Sequence, residues 1–300
     1  MTTLALELDP FHLFLWEPFA LDGFTFTIPG TDWHVTPFAI NRVVVLMMLA
    51  SLLCMLFFVL GARRKAAVPG KGQNIAETAY LFVRNNIAID VIGPEGVKYA
   101  NYLASLFFFI FFMNFLEVVP GINFPVTSRM AIPAALSLIT YLIFNLVGMI
   151  KQGPFRYFKD TLFPPGLPGG VIGFVVKILL AVIELFSVFI IRPLTLAIRL
   201  LANMMAGHVL LTIFFLFTHD YLVDDINPAA IPLGIVTFVV GAALIVFELL
   251  VISIQAYIFT MLSAFYIAES IHGHGDHEEE HGEEDHEVSH ETEGLQPTPA

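Results

Sequence analysis

Residues 171–218, VIGFVVKILLAVIELFSVFIIRPLTLAIRLLANMMAGHVLLTIFFLFT, are the stretch on which the fold turns: 48 residues with Pro193 as the sole internal proline. As a helix rising about 1.5 Å per residue this run measures roughly 70 Å, more than twice the ~30 Å hydrocarbon core of a bilayer. One upright transmembrane helix is excluded. Two antiparallel helices, one steeply inclined and kinked helix, or a helix that partly leaves the bilayer remain. No Asn-Gly or Pro-Gly turn signal breaks residues 174–217, only isolated residues such as Pro193 and Gly207, so the long inclined helix is favoured.

The rest of the 300-residue chain asks for the same solvent. It is 57% hydrophobic and 13% charged. Further apolar runs at 38–60, 99–119, 131–150 and 231–268 bring the spans to five, and the last is again too long to stand upright. The expected fold is an all-α integral membrane protein with five membrane-embedded helices, the last two long and inclined. Between the first two spans, AETAYLFVRNNIAIDVIG (76–93) places Ala79, Phe82, Val83 and Ile87 on one stripe and Glu77, Arg84 and Asn85 off it, the pattern of an amphipathic helix on the inner surface.

Charge sets the expected orientation. GARRKAAVPGKGQ (61–73) and KQGPFRYFKDTLFPPGLPGG (151–170) are basic, whereas THDYLVDDINPAA (218–230) has no Lys or Arg. The positive-inside rule then puts the amino terminus outside and the carboxyl terminus in the cytoplasm. The net charge of −12 comes almost wholly from residues 269–300, with 11 Asp and Glu and no Lys or Arg. The remainder offers no basic face for nucleic acid. Cys54 is alone, which excludes a disulfide framework within the chain and a CxxC metal site. Residues 1–37 lack a basic n-region and cleavage signal, and with Trp16 and Trp33 they read as an outer-side segment near the interface. The division is 1–37, the membrane domain 38–268, and an acidic, His-rich tail 269–300. The tail reads as a solvated extension, with loose metal binding as the alternative. No internal repeat is visible, which disfavours inverted-repeat transporters.

The polar residues inside the spans are few and specific. Arg192, Thr195, Arg199 and Asn203 share a helix face, and Glu248 and Gln255, seven apart, share another. His208 lies about 13 Å beyond Arg199 and half a turn away, so it faces elsewhere. Arg192 reads either as a snorkelling cation or as part of the stripe. Arg199 has apolar neighbours on both sides. A charge at that depth costs from about 2.5 to over 10 kcal/mol, so it must face water or an anion. Glu248 and His208 otherwise read as a structural buried pair, Asn203 and Gln255 as interhelical hydrogen-bonding residues, and Glu117 and Glu184 as locally solvated acids. Together they have the chemistry of proton movement: a carboxylate and an imidazole that burial can tune, amides, and a guanidinium that holds its proton. A secondary transporter for a small anion bound at Arg199 is the rival. An intramembrane metalloenzyme is disfavoured, since no HExxH lies within the spans, the HEEEH at 277–281 falling in the tail, and His208 is the one histidine within the spans. No cofactor is called for.

At these residues the sequence resembles the subunit a family of F-type ATP synthases. RPLTLAIRLLANMMAGH (192–208) is similar to the family's arginine-bearing helix, ELLVISIQAYIFTMLSAFYI (248–267) to its last helix, and FFMNFLEVVPG (111–121) to its Asn-Leu-x-x-x-Pro segment. The resemblance covers 38–268 and leaves out both ends. It implies that Arg199 is the stator arginine, Asn203 a half-channel asparagine and Gln255 the glutamine near that arginine. His208 stands where many members carry glutamate and Glu248 where they carry histidine, an exchange that leaves the order of proton entry open. Glu117 matches an acidic position at the outer end of the second span. Glu184 resembles the acid preceding the arginine helix, one residue farther from it than usual. The implied partners are the c-ring, peripheral-stalk subunits of the b and delta type, the soluble ATPase head and membrane lipid, in a bacterial plasma membrane. The implied ion is the proton rather than sodium, because an imidazole is a poor ligand for a hard alkali cation.

Overall fold

The computed structural model describes residues 26–27, 34–35, 42–62, 70–119, 122, 124, 126–162, 171–224 and 230–272. Apart from a two-residue antiparallel pair, β1 (Phe26–Thr27) and β2 (His34–Val35), the regular structure among these residues is helical. The helices are α1 (Arg42–Ala62), α2 (Lys71–Val83), α3 (Ala100–Val118), α4 (Ala131–Gln152), α5 (Pro154–Leu162), α6 (Val171–Phe186), α7 (Arg192–His219) and α8 (Ile231–His272). Five stretches are long and apolar enough to cross a membrane, and one of them, Val176–Val223, is the continuous α6–α7 rod. Of the expected outer-side segment 1–37 only residues 26–27 and 34–35 are described, so that expectation and the one for the tail beyond His272 lie outside the described residues.

The core forms where apolar side chains recur at three- and four-residue spacing. In α3, Leu103, Leu106, Ile110, Met113 and Leu116 are buried. The last four meet Val43, Leu46 and Ala50 of α1 on one side and Leu196, Leu200, Ala256 and Phe259 of α7 and α8 on the other. The opposite faces stay apolar as well: Met48, Leu52 and Met55 on α1, and Phe247, Leu250 and Ile254 on α8, are exposed. In water this would be a liability; in hydrocarbon it is the normal outer surface, and backbone groups stay satisfied within each helix.

The α2 stripe is placed a little off the expected centre. Its helix runs on through a π-helical segment (Arg84–Ile89) into Asp90–Ile92. Of the expected stripe, Val83 and Ile87 are buried and Ala79 is half-buried, but Phe82 is 42% exposed; Ile92, outside that stripe, is buried too. Ala76, Val83 and Ile87 hold the centre of the face, and Phe82, about 100° round from Val83, is left at its edge. Its ring sits 6.3 Å from that of Phe107 and 6.0 Å from that of Tyr257.

At the end of α4, Gly153 adopts φ +84°, a backbone state that a side chain disfavours, and the chain turns into α5. Tyr157 of α5 is buried and donates its hydroxyl to Asn145 Oδ1 at 3.1 Å.

The long rod owes its continuity to a π-bulge. Pro193 cannot donate to the carbonyl four residues back and its ring crowds that carbonyl, so an ordinary α-turn there is lost. The segment Ser187–Ile191 is π-helical, and the helix resumes as α7 at Arg192. A wider turn absorbs the defect without a break. The alternative of two separate helices within residues 171–218 is thereby removed. The other long element, α8, has 42 residues and extends to His272, four beyond the expected limit of 268, which brings Glu269 into the helix. α7 and α8 run antiparallel: Arg192 meets Glu269, Asn203 meets Gln255, and Thr218 meets Thr237. At about 1.5 Å per residue each exceeds the hydrocarbon thickness, so the pair either lies inclined or extends beyond the bilayer. α8 also packs on α3 and α4, which places this hairpin against one flank of the bundle.

Candidate functional site

Arg199 projects from the outward face of α7. It is exposed and shares that face with Leu194 and Ile198, which are 44% and 47% exposed. It makes no hydrogen bond or ion pair with any described residue, although Tyr266 lies within reach of its field. The helix therefore presents a permanent cation on a surface otherwise suited to lipid. Leu200, the next residue, is fully buried, so the exposure follows from azimuth and not from fraying.

The opposite side of the same helix is a buried acid–imidazole cluster. His208, nine residues on and thus half a turn round, is 5% exposed. Its Nδ1 lies 3.4 Å from Glu117 Oε1. Glu117, at the end of α3, is 0% exposed and the ring of Phe124 stands edge-on to the imidazole at 6.5 Å. At 3.4 Å the approach is too long for a well-aligned hydrogen bond, and both Glu117 oxygens are buried without a donor among the described residues. Glu248 of α8, 4% exposed, lies over Gly207, where an added Cβ would overlap its carboxylate. The absence of a side chain at 207 is what lets an acid from α8 approach the backbone of α7. Glu117 is close enough to act on Glu248 electrostatically. Three helices thus deliver Glu117, His208 and Glu248 to one place.

One layer farther along the hairpin, Asn203 Nδ2 donates to Gln255 Oε1 at 3.2 Å, and Gln255 Nε2 is left buried without an acceptor. Asn114 entered the resemblance only as the asparagine of the 111–121 segment, with no role given to it. It is 0% exposed, one turn before Glu117, and accepts a 2.7 Å hydrogen bond from Thr127 Oγ1 while its Nδ2 lacks a partner. Its signal was an amide inside the second apolar span.

Glu184 and Arg192 belong to the other end of the hairpin. Eight residues separate them, which in a regular α-helix turns Glu184 about 80° away from Arg192. The π-bulge between them takes up one residue, so Glu184 faces as though seven residues away, on nearly the same side. It is within the field of Arg192. This accounts physically for a spacing one residue longer than the resemblance implies. Arg192 itself does not snorkel: it forms a two-pronged ion pair with Glu269, an acid that composition had assigned to the tail. Among the described residues, no group of three or more His, Cys, Asp or Glu is placed to hold a metal ion.

Comparison with known proteins gives a consistent result. A family model described as "ATP synthase A chain" matches residues 44–268. The chain is 38% identical over 273 residues to "ATP synthase subunit a" of Rhodococcus erythropolis, covering 91% of this chain and 94% of that protein. It is 46% identical over 224 residues to the protein of the same name from a Parafrankia species, covering 74% and 73%. The Frankia alni protein of that name is 40% identical over 240 residues, covering 80% of each.

Proposed function

Because the chain belongs to the ATP synthase subunit a family, whose members are the proton-translocating stator of that complex, we propose that it forms two offset half-channels separated by Arg199. Protons enter from outside through a path bordered by Glu117, His208, Glu248 and Asn203. They neutralise a carboxylate on a ring of c subunits, which can then turn into lipid. After nearly a full rotation the acid regains an aqueous outlet on the cytoplasmic side, bordered by Glu184. Arg199 attracts each ionised carboxylate and blocks direct leakage, while Gln255, held by Asn203, lies on the neighbouring helix. Peripheral-stalk subunits of the b and delta type hold the chain against rotation, and the soluble head uses the torque. The setting is a bacterial plasma membrane, with the amino terminus outside.

The observation that carries this reading is the division of one helix into two faces. An unpaired guanidinium on a hydrocarbon-facing surface is expensive and demands a mobile or external anion. Behind it stands a cluster of buried acids with oxygens lacking donors. Leaving such groups dry costs about 1–3 kcal/mol each, which favours a hydrated path. A small-anion transporter would instead gather its cation and polar groups around one enclosed cavity between helices, whereas Arg199 is exposed and His208, with Glu117 against it, is buried half a turn away on α7.

Purification from native membranes tests the assignment: a ring of small two-helix subunits and a nucleotide-hydrolysing head accompany the chain. A chain that purifies alone and transports an anion in liposomes would refute it. Within the complex, His208→Ala is expected to slow ATP-driven proton pumping about tenfold with assembly intact, since it removes one acid–base group and leaves two. An unchanged rate removes His208 from the path. Gly207→Ala is expected to displace the flexible Glu248 carboxylate at a cost of about 1–3 kcal/mol, offset in part by about 1 kcal/mol from alanine's better helix propensity. Proton pumping then falls several-fold with only a modest change in the thermal stability of the complex.

A further inference from the structure

Arg192 stands two turns before Arg199 on the same stripe, yet it is held differently. Its Nη1 donates to Glu269 Oε2 at 2.6 Å and its Nη2 to Glu269 Oε1 at 2.7 Å, the two-pronged geometry that suits a guanidinium and a carboxylate. The side chains are only 17% and 21% exposed, and the guanidinium carbon lies 5.2 Å from the centre of the Tyr266 ring. Glu184 adds a further negative field. Arg199 makes no ion pair with any described residue. Of two guanidinium groups about 10 Å apart by helical rise, one is neutralised and the other has no counter-ion among the described residues.

We infer that Glu269 is a charge-cancelling positioning residue: by occupying both prongs of Arg192 it leaves Arg199 as the cation of the Arg192–Asn203 stripe that is open to a moving carboxylate. The inference rests on the stator reading of Arg199 and adds to it. A free Arg192 would offer a second well for the same anion, two turns off the transfer point. An Arg–carboxylate pair is strong and geometrically specific, and screening is weak at a surface suited to hydrocarbon. A passing acid would be held in the wrong place, or shared between two cations, and release would slow. Cancelling the charge at 192 keeps the packing and removes the trap. Holding α7 against α8 does not by itself require this pair, because Asn203–Gln255 and Thr218–Thr237 already bond the two helices.

The test separates charge cancellation from simple pinning. Glu269→Gln keeps the size of the side chain and frees Arg192; in vesicles carrying the whole complex, gradient-driven ATP synthesis is expected to fall about tenfold, with the ring and head still co-purifying. The double variant Arg192→Gln/Glu269→Gln has no ion pair either, but also no stray cation, and it is expected to return to within about twofold of the parent. Pinning makes the opposite demand, since the double variant is then as impaired as Glu269→Gln. A fully active Glu269→Gln, or a double variant that stays low, overturns the inference. Should Glu269→Gln not assemble, Glu269→Asp is measured beside the double variant: near-parental synthesis in both supports charge cancellation, and a loss in either overturns it. Arg199→Ala in the same vesicles keeps the two readings apart. If it is active, the stator reading itself fails; if it is inactive while Glu269→Gln is normal, only the role of Glu269 fails.

Discussion

Arg199→Ala is expected to abolish proton-driven ATP synthesis. Two unit charges 4 Å apart interact by about 4 kcal/mol at an effective dielectric near 20, which is roughly a thousandfold in the occupancy of an ionised carboxylate beside the guanidinium. Removing the charge removes that attraction and also the electrostatic barrier between the two water paths. The second loss matters as much as the first. Each proton crossing 100 mV carries only about 2.3 kcal/mol, so synthesis sums several protons per ATP and a leak defeats it. Arg199 makes no ion pair with described residues, so its removal leaves no buried acid uncompensated and the complex is expected to assemble. Arg199→Lys keeps a charge but not the planar fork, and a desolvated lysine can give up its proton, so it is expected to rescue little. Inverted vesicles under an imposed proton gradient provide the measurement. Synthesis in Arg199→Ala at even a few per cent of the parental rate contradicts the assigned role.

Glu248→Gln is the second large effect. The amide has nearly the size of the acid but cannot take up and release a proton. Acid–base groups contribute about 10²–10⁴-fold to proton transfer, and with Glu117 and His208 still present the lower end applies: ATP-driven pumping is expected to fall about 100-fold. The fold is expected to hold, because Glu248 Oε1 has no donor among the described residues to lose and a neutral amide is easier to bury than a carboxylate. Glu248→Asp retains the proton chemistry and is expected to recover part of the flux. Pumping at the parental rate in Glu248→Gln would place the path elsewhere.

Much of the fold was legible because the bilayer is a demanding solvent. Length and hydropathy located five spans, and the observed helices end within a few residues of the expected limits. The opposed faces of Arg199 and His208 followed from nine residues of helical spacing alone. Other features were not legible. Glu269 looked like the first residue of an acidic tail, and nothing in composition shows that the helix continues to His272. Phe82 fitted the amphipathic stripe yet sits at its edge, since burial is assigned by the neighbours that arrive and not by hydrophobicity. The π-bulge before Pro193 was foreshadowed by the proline, but its effect, turning Glu184 back toward Arg192, depends on how one turn relaxes.

What the sequence determined by itself is therefore what depends on a single helix: its solvent, its length, and which residues share a face, all fixed by a rise and a period that every helix obeys. What only the tertiary structure decided is who stands opposite whom. Glu117 beside His208, Glu248 over Gly207 and Glu269 on Arg192 each join different helices. Two apolar faces can slide past one another at little cost in hydrophobic burial, so periodicity does not encode their register; close packing and a few polar contacts select it.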